Sequence, residues 1–441
     1  MRDTHQPRVD RQVVLGSLVI GLAATFLTIT RLFLGDARSL TEVLWAEDGL
    51  FPLCVRNSGA LDCLGQPFAG YYLLVPRLAS LVTAALPIEI WPTASVILSA
   101  VASGAMASVV FLAMRLADMG RRTSVLAALV LVLSPLFGLE VIGVIASIYV
   151  PLLVATTVVV VVAKPQRNRG WWVAALLVVT ALTMPSTAVL IPVLVFRMLV
   201  KDLPAALTLR WLAALGVGLA GQLLVAMNAP EGRGLSVSLA SLRAWVDGVV
   251  DSGLSAVPGL TWSISEFTSL FPLRDPWYGP WLVTALLVPV GVWGLWTGTR
   301  LGGRSGLRRM QSGLLVISAL GLSLFPSLAG TFSYRYFVAS FALLVIGLVV
   351  LGDSWIQNIT ARVFWGGLLL VSLFWAPAFA ASQVRTSPAP SWHEEVERAT
   401  NVCEEPGVRE VEVVFTPVWP NGQQQLDIAQ PILLCSDLDE Q

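Results

Sequence analysis

Charge is what this sequence has least of. Asp, Glu, Lys and Arg make up 13% of its 441 residues, against about 25% in ordinary soluble domains. The 28 basic and 28 acidic residues cancel, and the basic ones sit in short scattered clusters. That argues against nucleic acid as a partner. Histidine is nearly absent: His5 and His393 are the two in the chain. A histidine-rich metal centre is therefore excluded, and a serine nucleophile has no plausible histidine partner. There is no Walker A sequence and no Gly-x-Gly-x-x-Gly after a strand, so nothing supports a nucleotide-binding fold. No repeat of fixed period occurs. The apolar run from Val13 to Thr30 is too long for a secretory signal and has no small-residue cleavage site behind it. It reads as an uncleaved first span.

What the chain does have is apolar surface. Hydrophobic residues are 56% of the sequence and mean hydropathy is +0.75. An all-α polytopic membrane protein follows, since a span needs about 20 apolar residues. Arg and Lys in the short loops orient the spans. Arg2, Arg8 and Arg11 put the N-terminus in the cytoplasm. The first span is 13–34, and the second, 91–114, returns to the basic loop of Arg115, Arg121 and Arg122. The intervening stretch 68–86 carries Arg77 and reads as an interfacial helix on the outer surface. Spans 123–140 and 142–163 form a hairpin that ends at Lys164, Arg167 and Arg169. Residues 170–200 must then cross twice in little length. Met184-Pro185-Ser186 supplies the break, giving two short or re-entrant helices. Spans 211–228, 280–299, 311–331, 335–352 and 362–381 complete about eleven crossings. Residues 1–382 form the membrane domain, with outer loops 35–90 and 229–279, and 383–441 form a small outer α/β subdomain. Its strand signal is the alternation in Val408-Arg409-Glu410-Val411-Glu412-Val413-Val414-Phe415.

Cys54, Cys63, Cys403 and Cys435 all fall outside the apolar runs, on the side the charge rule calls outer. Four cysteines allow three pairings. Proximity favours Cys54–Cys63 and Cys403–Cys435; free thiols are the other reading. Paired, they imply an oxidising compartment.

Several polar residues are candidates for chemistry. Glu47 and Asp48 follow the first span and are flanked by Trp45 and Phe51. Such acids would act as a base or acceptor-orienting group, hold a divalent cation (Mg or Mn) through oxygen ligands, or simply be solvated. Arg335, beside Tyr336 at the outer start of its span, would bind phosphate or anchor the interface. Arg77 would bind a lipid phosphate, pair with Asp48, or snorkel to the headgroups. Glu140 interrupts a long apolar stretch at the outer hairpin, and Tyr149 follows it to line the same cavity. In 229–279, Arg233, Arg243, Asp247, Asp251, Trp262, Glu266 and Arg274 show no spacing that defines a site.

The stretch Trp45-Ala46-Glu47-Asp48-Gly49, followed by Pro67-Phe68-Ala69-Gly70-Tyr71 and Val75-Pro76-Arg77, resembles bacterial members of the GT-C superfamily of membrane glycosyltransferases. Arg335-Tyr336-Phe337 fits the same picture. The resemblance implies a GT-C-like fold and a polyprenyl-phosphate-linked sugar as donor. It implies a glycan, lipid or protein acceptor outside the cell membrane. It assigns the catalytic or acceptor-orienting role to Asp48, with Glu47 second. The carrier phosphate falls to Arg335, with Arg77 in support, and the prenyl chain to a groove near the interfacial helix. Two other readings remain: a polymerase or ligase of lipid-linked polysaccharide, using Arg233 and Arg243, and a flippase or transporter, which would place charges at the midplane.

Overall fold

The computed structural model describes residues 11–33, 42–68, 71–133, 141–164, 170–227, 279–301, 303–328, 335–355, 391–415 and 431–439. Within them the chain is mostly helical. Four helical segments are long and apolar enough to cross a membrane: Arg11–Leu32, Ile88–Leu116, Ile145–Val162 and Ala205–Met227. They contain α1 (Arg11–Phe33), α5 (Trp91–Leu116), α7 (Tyr149–Val162) and α10 (Ala205–Met227). The outward faces of α1 and α10 are apolar: Leu22 is 73% exposed, Phe26 68% and Val217 65%. A water-facing helix would carry charge there; a lipid-facing one carries hydrocarbon.

Every residue of α7 is buried. Its C-terminal run of five valines is a poor helix former in water, because branching at Cβ restricts χ1. Away from water the helix closes all its own backbone bonds, and that requirement outweighs propensity.

The bundle has two unlike ends, and α5 joins them. At its start Trp91 stacks on Trp392, with ring centroids 6.2 Å apart. Just past its end, the Asp118 carboxylate accepts from Lys164, and its carbonyl oxygen accepts from Arg304 and Arg308 at 3.2 Å each. Nearby, Asp353 pairs with Arg308 at 2.6 Å and accepts the Thr123 hydroxyl at 2.8 Å. The basic loops thus gather at one end. Both disulfides, Cys54–Cys63 and Cys403–Cys435, lie toward the other.

From the basic end, α8 (Gly170–Thr183) runs inward and α9 (Leu190–Leu199) runs back, joined by the 3-10 turn Pro185–Val189. This is the expected break at Met184-Pro185, arranged as a hairpin. Its return is fixed by buried Arg197, which donates to the carbonyls of Val160 and Ala163 at the end of α7 and pairs with Asp202. The tip reaches α4 (Leu74–Ala84), where the Val75 N–H meets the Thr183 hydroxyl at 3.4 Å.

Three boundaries differ from the sequence expectation. The first outer loop is largely helical, with α2 (Ala46–Ser58) and α3 (Ala60–Gly65) ahead of α4. The helix α6 is described over Arg121–Leu133, with 134–140 outside the described residues, and α7 begins only at Tyr149, after the 3-10 turn Ile145–Ile148. Finally, α11 (Gly279–Leu301) and α12 (Gly303–Leu328) are nearly continuous, so Arg304, Arg308 and Arg309 are helical rather than in a loop. Glycines permit that pair: a Cβ on Gly298 would lie 2.5 Å from the Met310 nitrogen, and one on Gly313 would lie 2.7 Å from the Leu295 nitrogen. Small residues let helix backbones approach in membranes. The helix α13 (Arg335–Trp355) matches its expected span. The expected span 362–381 and most of the loop 229–279 lie outside the described residues.

The C-terminal subdomain contains α14 (Trp392–Cys403), α15 (Ser436–Asp439) and an antiparallel pair, β1 (Glu410–Glu412) and β2 (Ile432–Leu434). A capping box starts α14: the Ser391 hydroxyl takes the Glu394 N–H, and the Glu394 carboxylate takes the Ser391 N–H. The predicted alternation holds, with Val411, Val413 and Phe415 buried. These residues share one core with Leu44, Leu53, Ile88 and Trp91. The subdomain is therefore packed onto the first-loop helices.

Candidate functional site

The first turn of α2 carries Glu47 and Asp48, and both are buried, at 6% and 1% exposure. That rules out the solvated-loop reading. Asp48 reaches across to the turn that opens α7. Its Oδ2 accepts the Ile145 N–H at 2.9 Å and its Oδ1 accepts the Ala146 N–H at 2.9 Å. The first N–H groups of a helical segment have no internal partners and carry partial positive charge. A carboxylate bound to them caps the turn and is itself stabilised as an anion. The cap comes from a residue 97 positions away in sequence, since the adjoining Val144 makes no side-chain cap. An ionised carboxylate has about four lone-pair sites. The two backbone amides each take a site on one of its oxygens and so orient Asp48.

Arg77 lies on α4. It is 5% exposed, which overturns the snorkelling expectation. Its Nε donates to the Tyr72 carbonyl at 2.8 Å, its Nη1 donates to the Cys63 carbonyl, and its Cζ sits 5.0 Å from the Phe51 ring centre. Carbonyl oxygens take it up rather than Asp48, which corrects the expected ion pair. Burial lowers the guanidinium to about 10, with Tyr72 opposing, so it stays charged at neutral pH. The clamp holds an unusual turn: Leu73 adopts φ 53° and ψ 48°, a left-handed conformation that a side chain disfavours. Arg77 thus ties α4, the Cys54–Cys63 loop and α2 together.

Tyr149, the first residue of α7, is buried directly after the capped turn. For Arg335 and Tyr336 the structure describes the helix start but not the side chains, and Glu140 lies outside the described residues. So do Arg233, Arg243, Asp247, Asp251, Trp262, Glu266 and Arg274.

Beside this cluster lies an apolar groove of about 360 Å³, walled by α4, α5, α7 and α8. Val75, Met106, Ile148, Leu152, Trp172 and Val179 line it. Ile148 ends the turn whose opening amides bind Asp48, and Val75 is two residues from Arg77. The hydrocarbon slot and the buried acid therefore meet at one turn, Ile145–Ile148.

Two further residues belong here: Trp45, named in the sequence only as a flank of the acids, and Gln222, which the sequence reading missed. The Trp45 Nε1, next to the acids, is buried with no hydrogen-bond acceptor among the described residues. Gln222, a lone amide in the apolar α10, accepts the Tyr72 N–H at 3.0 Å and donates to the Leu182 carbonyl at 2.7 Å. A polar residue at membrane depth was the available signal for Gln222.

The fit of a divalent cation is poor around Asp48. Both its oxygens already accept backbone hydrogen bonds, which reduces the charge density they offer a cation. Among the described residues no three His, Cys, Asp or Glu side chains gather. Comparison with protein-family models and with curated proteins finds no match.

Proposed function

We propose that the chain is a membrane-embedded glycosyltransferase that moves a sugar from a polyprenyl-phosphate carrier to an extracytoplasmic acceptor in the cell envelope. One observation carries the reading: an apolar groove reaches the turn whose opening amides hold a buried, oriented carboxylate. A prenyl chain needs the first and an acceptor hydroxyl needs the second. The positive-inside rule puts the basic end in the cytoplasm. The disulfide end then faces the oxidising side, with Asp48 near it.

In this mechanism the acceptor oxygen or nitrogen attacks the anomeric carbon. Its bond forms as the bond from that carbon to the phosphate oxygen breaks. The polyprenyl phosphate leaves with the electron pair, and Arg335 neutralises it. Asp48 accepts a hydrogen bond from the acceptor and takes its proton as the new bond forms, with Glu47 beside it as the alternative base. Arg77 acts through its clamp on α2 and α4. No step runs through a nucleotide or a cation.

The test is transfer of radiolabel from polyprenyl-phosphate sugars by the purified chain with membrane extract. Wild type and Glu47→Gln are compared with Asp48→Asn and Arg233→Ala. Loss in Asp48→Asn with retention in Arg233→Ala supports the proposal. Full activity in Asp48→Asn rejects the site. Loss in Arg233→Ala alone points to a polymerase or ligase.

A further inference from the structure

The hairpin of α11 and α12 carries a feature that the transfer site does not use. From Gly279 to Leu328 the sequence contains no acidic residue, but it carries Arg300, Arg304, Arg308 and Arg309. Two of these arginines are occupied at the basic end: Arg304 and Arg308 reach the Asp118 carbonyl, and Arg308 also pairs with Asp353. The other two are arranged differently. The Arg300 Cζ lies 4.3 Å from the Trp296 ring centre, and the Arg309 Cζ lies 5.4 Å from that of Trp293. Neither has a carboxylate partner among the described residues, and the Arg309 Nε is buried with no acceptor.

Trp293, Trp296 and Arg300 follow one another at i, i+3 and i+7, so they share a face of α11. That face is open: Trp296 is 53% exposed, and the nearby Val292 and Leu301 are exposed as well. The glycine contacts fix the register that brings Arg309 from α12 over Trp293, since a Cβ on Gly294 would lie 3.0 Å from the Arg309 carbonyl oxygen. The result is a stripe of two indoles topped by two guanidiniums with no counter-charge among the described residues.

We propose that this stripe is a binding site for an anionic phospholipid of the leaflet at the basic end. The headgroup phosphate would bridge Arg300 and Arg309, which match it in charge and in their forked donors. The acyl chains would lie along Trp296, Trp293 and Val292. Basic pockets between membrane helices take anionic headgroups in this manner. A bare anion has no use for the indole stripe, so the occupant is the lipid and not free phosphate.

Native mass spectrometry of the detergent-purified full chain, with equimolar phosphatidylglycerol and phosphatidylcholine, tests this. Wild type should retain phosphatidylglycerol at least about tenfold over phosphatidylcholine, given the two guanidiniums on the stripe. Excess inorganic phosphate should not displace it. Arg300→Gln, an exposed change, should lower retention severalfold, and the Arg300→Gln/Arg309→Gln pair should bring it to the phosphatidylcholine level. Arg121→Gln/Arg122→Gln, exposed at the same end, should leave it unchanged. Equal retention of both lipids overturns the site, as does no effect of Arg300→Gln. An equal loss in the Arg121→Gln/Arg122→Gln control also overturns it, because the attraction would then belong to the whole basic end.

Discussion

Phe415 closes on Gly49 so tightly that a Cβ at position 49 would lie 2.5 Å from the ring Cζ. The residue beside the candidate acid is thus held by the C-terminal subdomain. Gly49→Ala should therefore destabilise by about 1–3 kcal/mol, the usual cost of overpacking. It should also reduce activity with Asp48 intact. Adding Phe415→Ala should recover part of both losses. A double-mutant cycle on thermal unfolding reads the coupling, and additive losses would mean that the two residues are independent.

Asp48→Asn removes one acceptor from a pair of backbone donors. The amide oxygen can satisfy Ile145 or Ala146 but not both, leaving one buried N–H unpaired. The expected cost is about 1–3 kcal/mol, read as a lower unfolding midpoint. Glu47→Gln should have a smaller effect. Equal stability of Asp48→Asn and wild type would show that the carboxylate does not cap the turn before α7.

At the basic end the hydrogen bond from Lys164 holds the Asp118 carboxyl below its ordinary value, with Arg304 and Arg115 adding to that. A folded value below the unfolded one contributes stability above the unfolded value, and that stability is lost as pH falls through the folded value. The unfolding midpoint should therefore fall as pH drops below about 4. Asp118→Asn should flatten that part of the profile. The pair is exposed, so the effect should be small and should shrink in high salt.

Reducing Cys403–Cys435 opens a crosslink of sequence separation 32. The chain-entropy cost is about 3–4 kcal/mol. Proteolysis should then enter the C-terminal subdomain first while α5 and α7 stay protected. Simultaneous cleavage throughout would mean that the subdomain does not open on its own.

The parts of the molecule that were legible in the sequence are those where local signals decide. The runs behind α1 and α5 are long and apolar enough that only a helix satisfies their backbones. Pro185 marks the hairpin tip, and the two disulfides join the cysteines closest in sequence. The helices of the first loop carry no strong local signal, since Gly49 and Pro52 are poor helix residues that α2 nonetheless keeps. The start of α12 was hidden by its arginines, whose partners Asp118 and Asp353 come from elsewhere in the chain. Asp48 was legible as a candidate, but not its grip on Ile145 and Ala146, because no local pattern encodes a contact across that distance. Arg77 was read as a lipid ligand, since nothing in sequence marks the carbonyls of Tyr72 and Cys63 as its partners.

The account stands on lipid entering the groove beside Asp48, and photo-crosslinking tests that directly. Wild-type protein in membranes is labelled with a polyprenyl phosphate carrying a photoreactive group near its phosphate end, and the labelled peptides are mapped. The account predicts adducts in the segments around Val75, Met106, Ile148 and Val179, competed away by unmodified polyprenyl phosphate. Adducts confined to the outward faces of α1 and α10, with no competition, would contradict it.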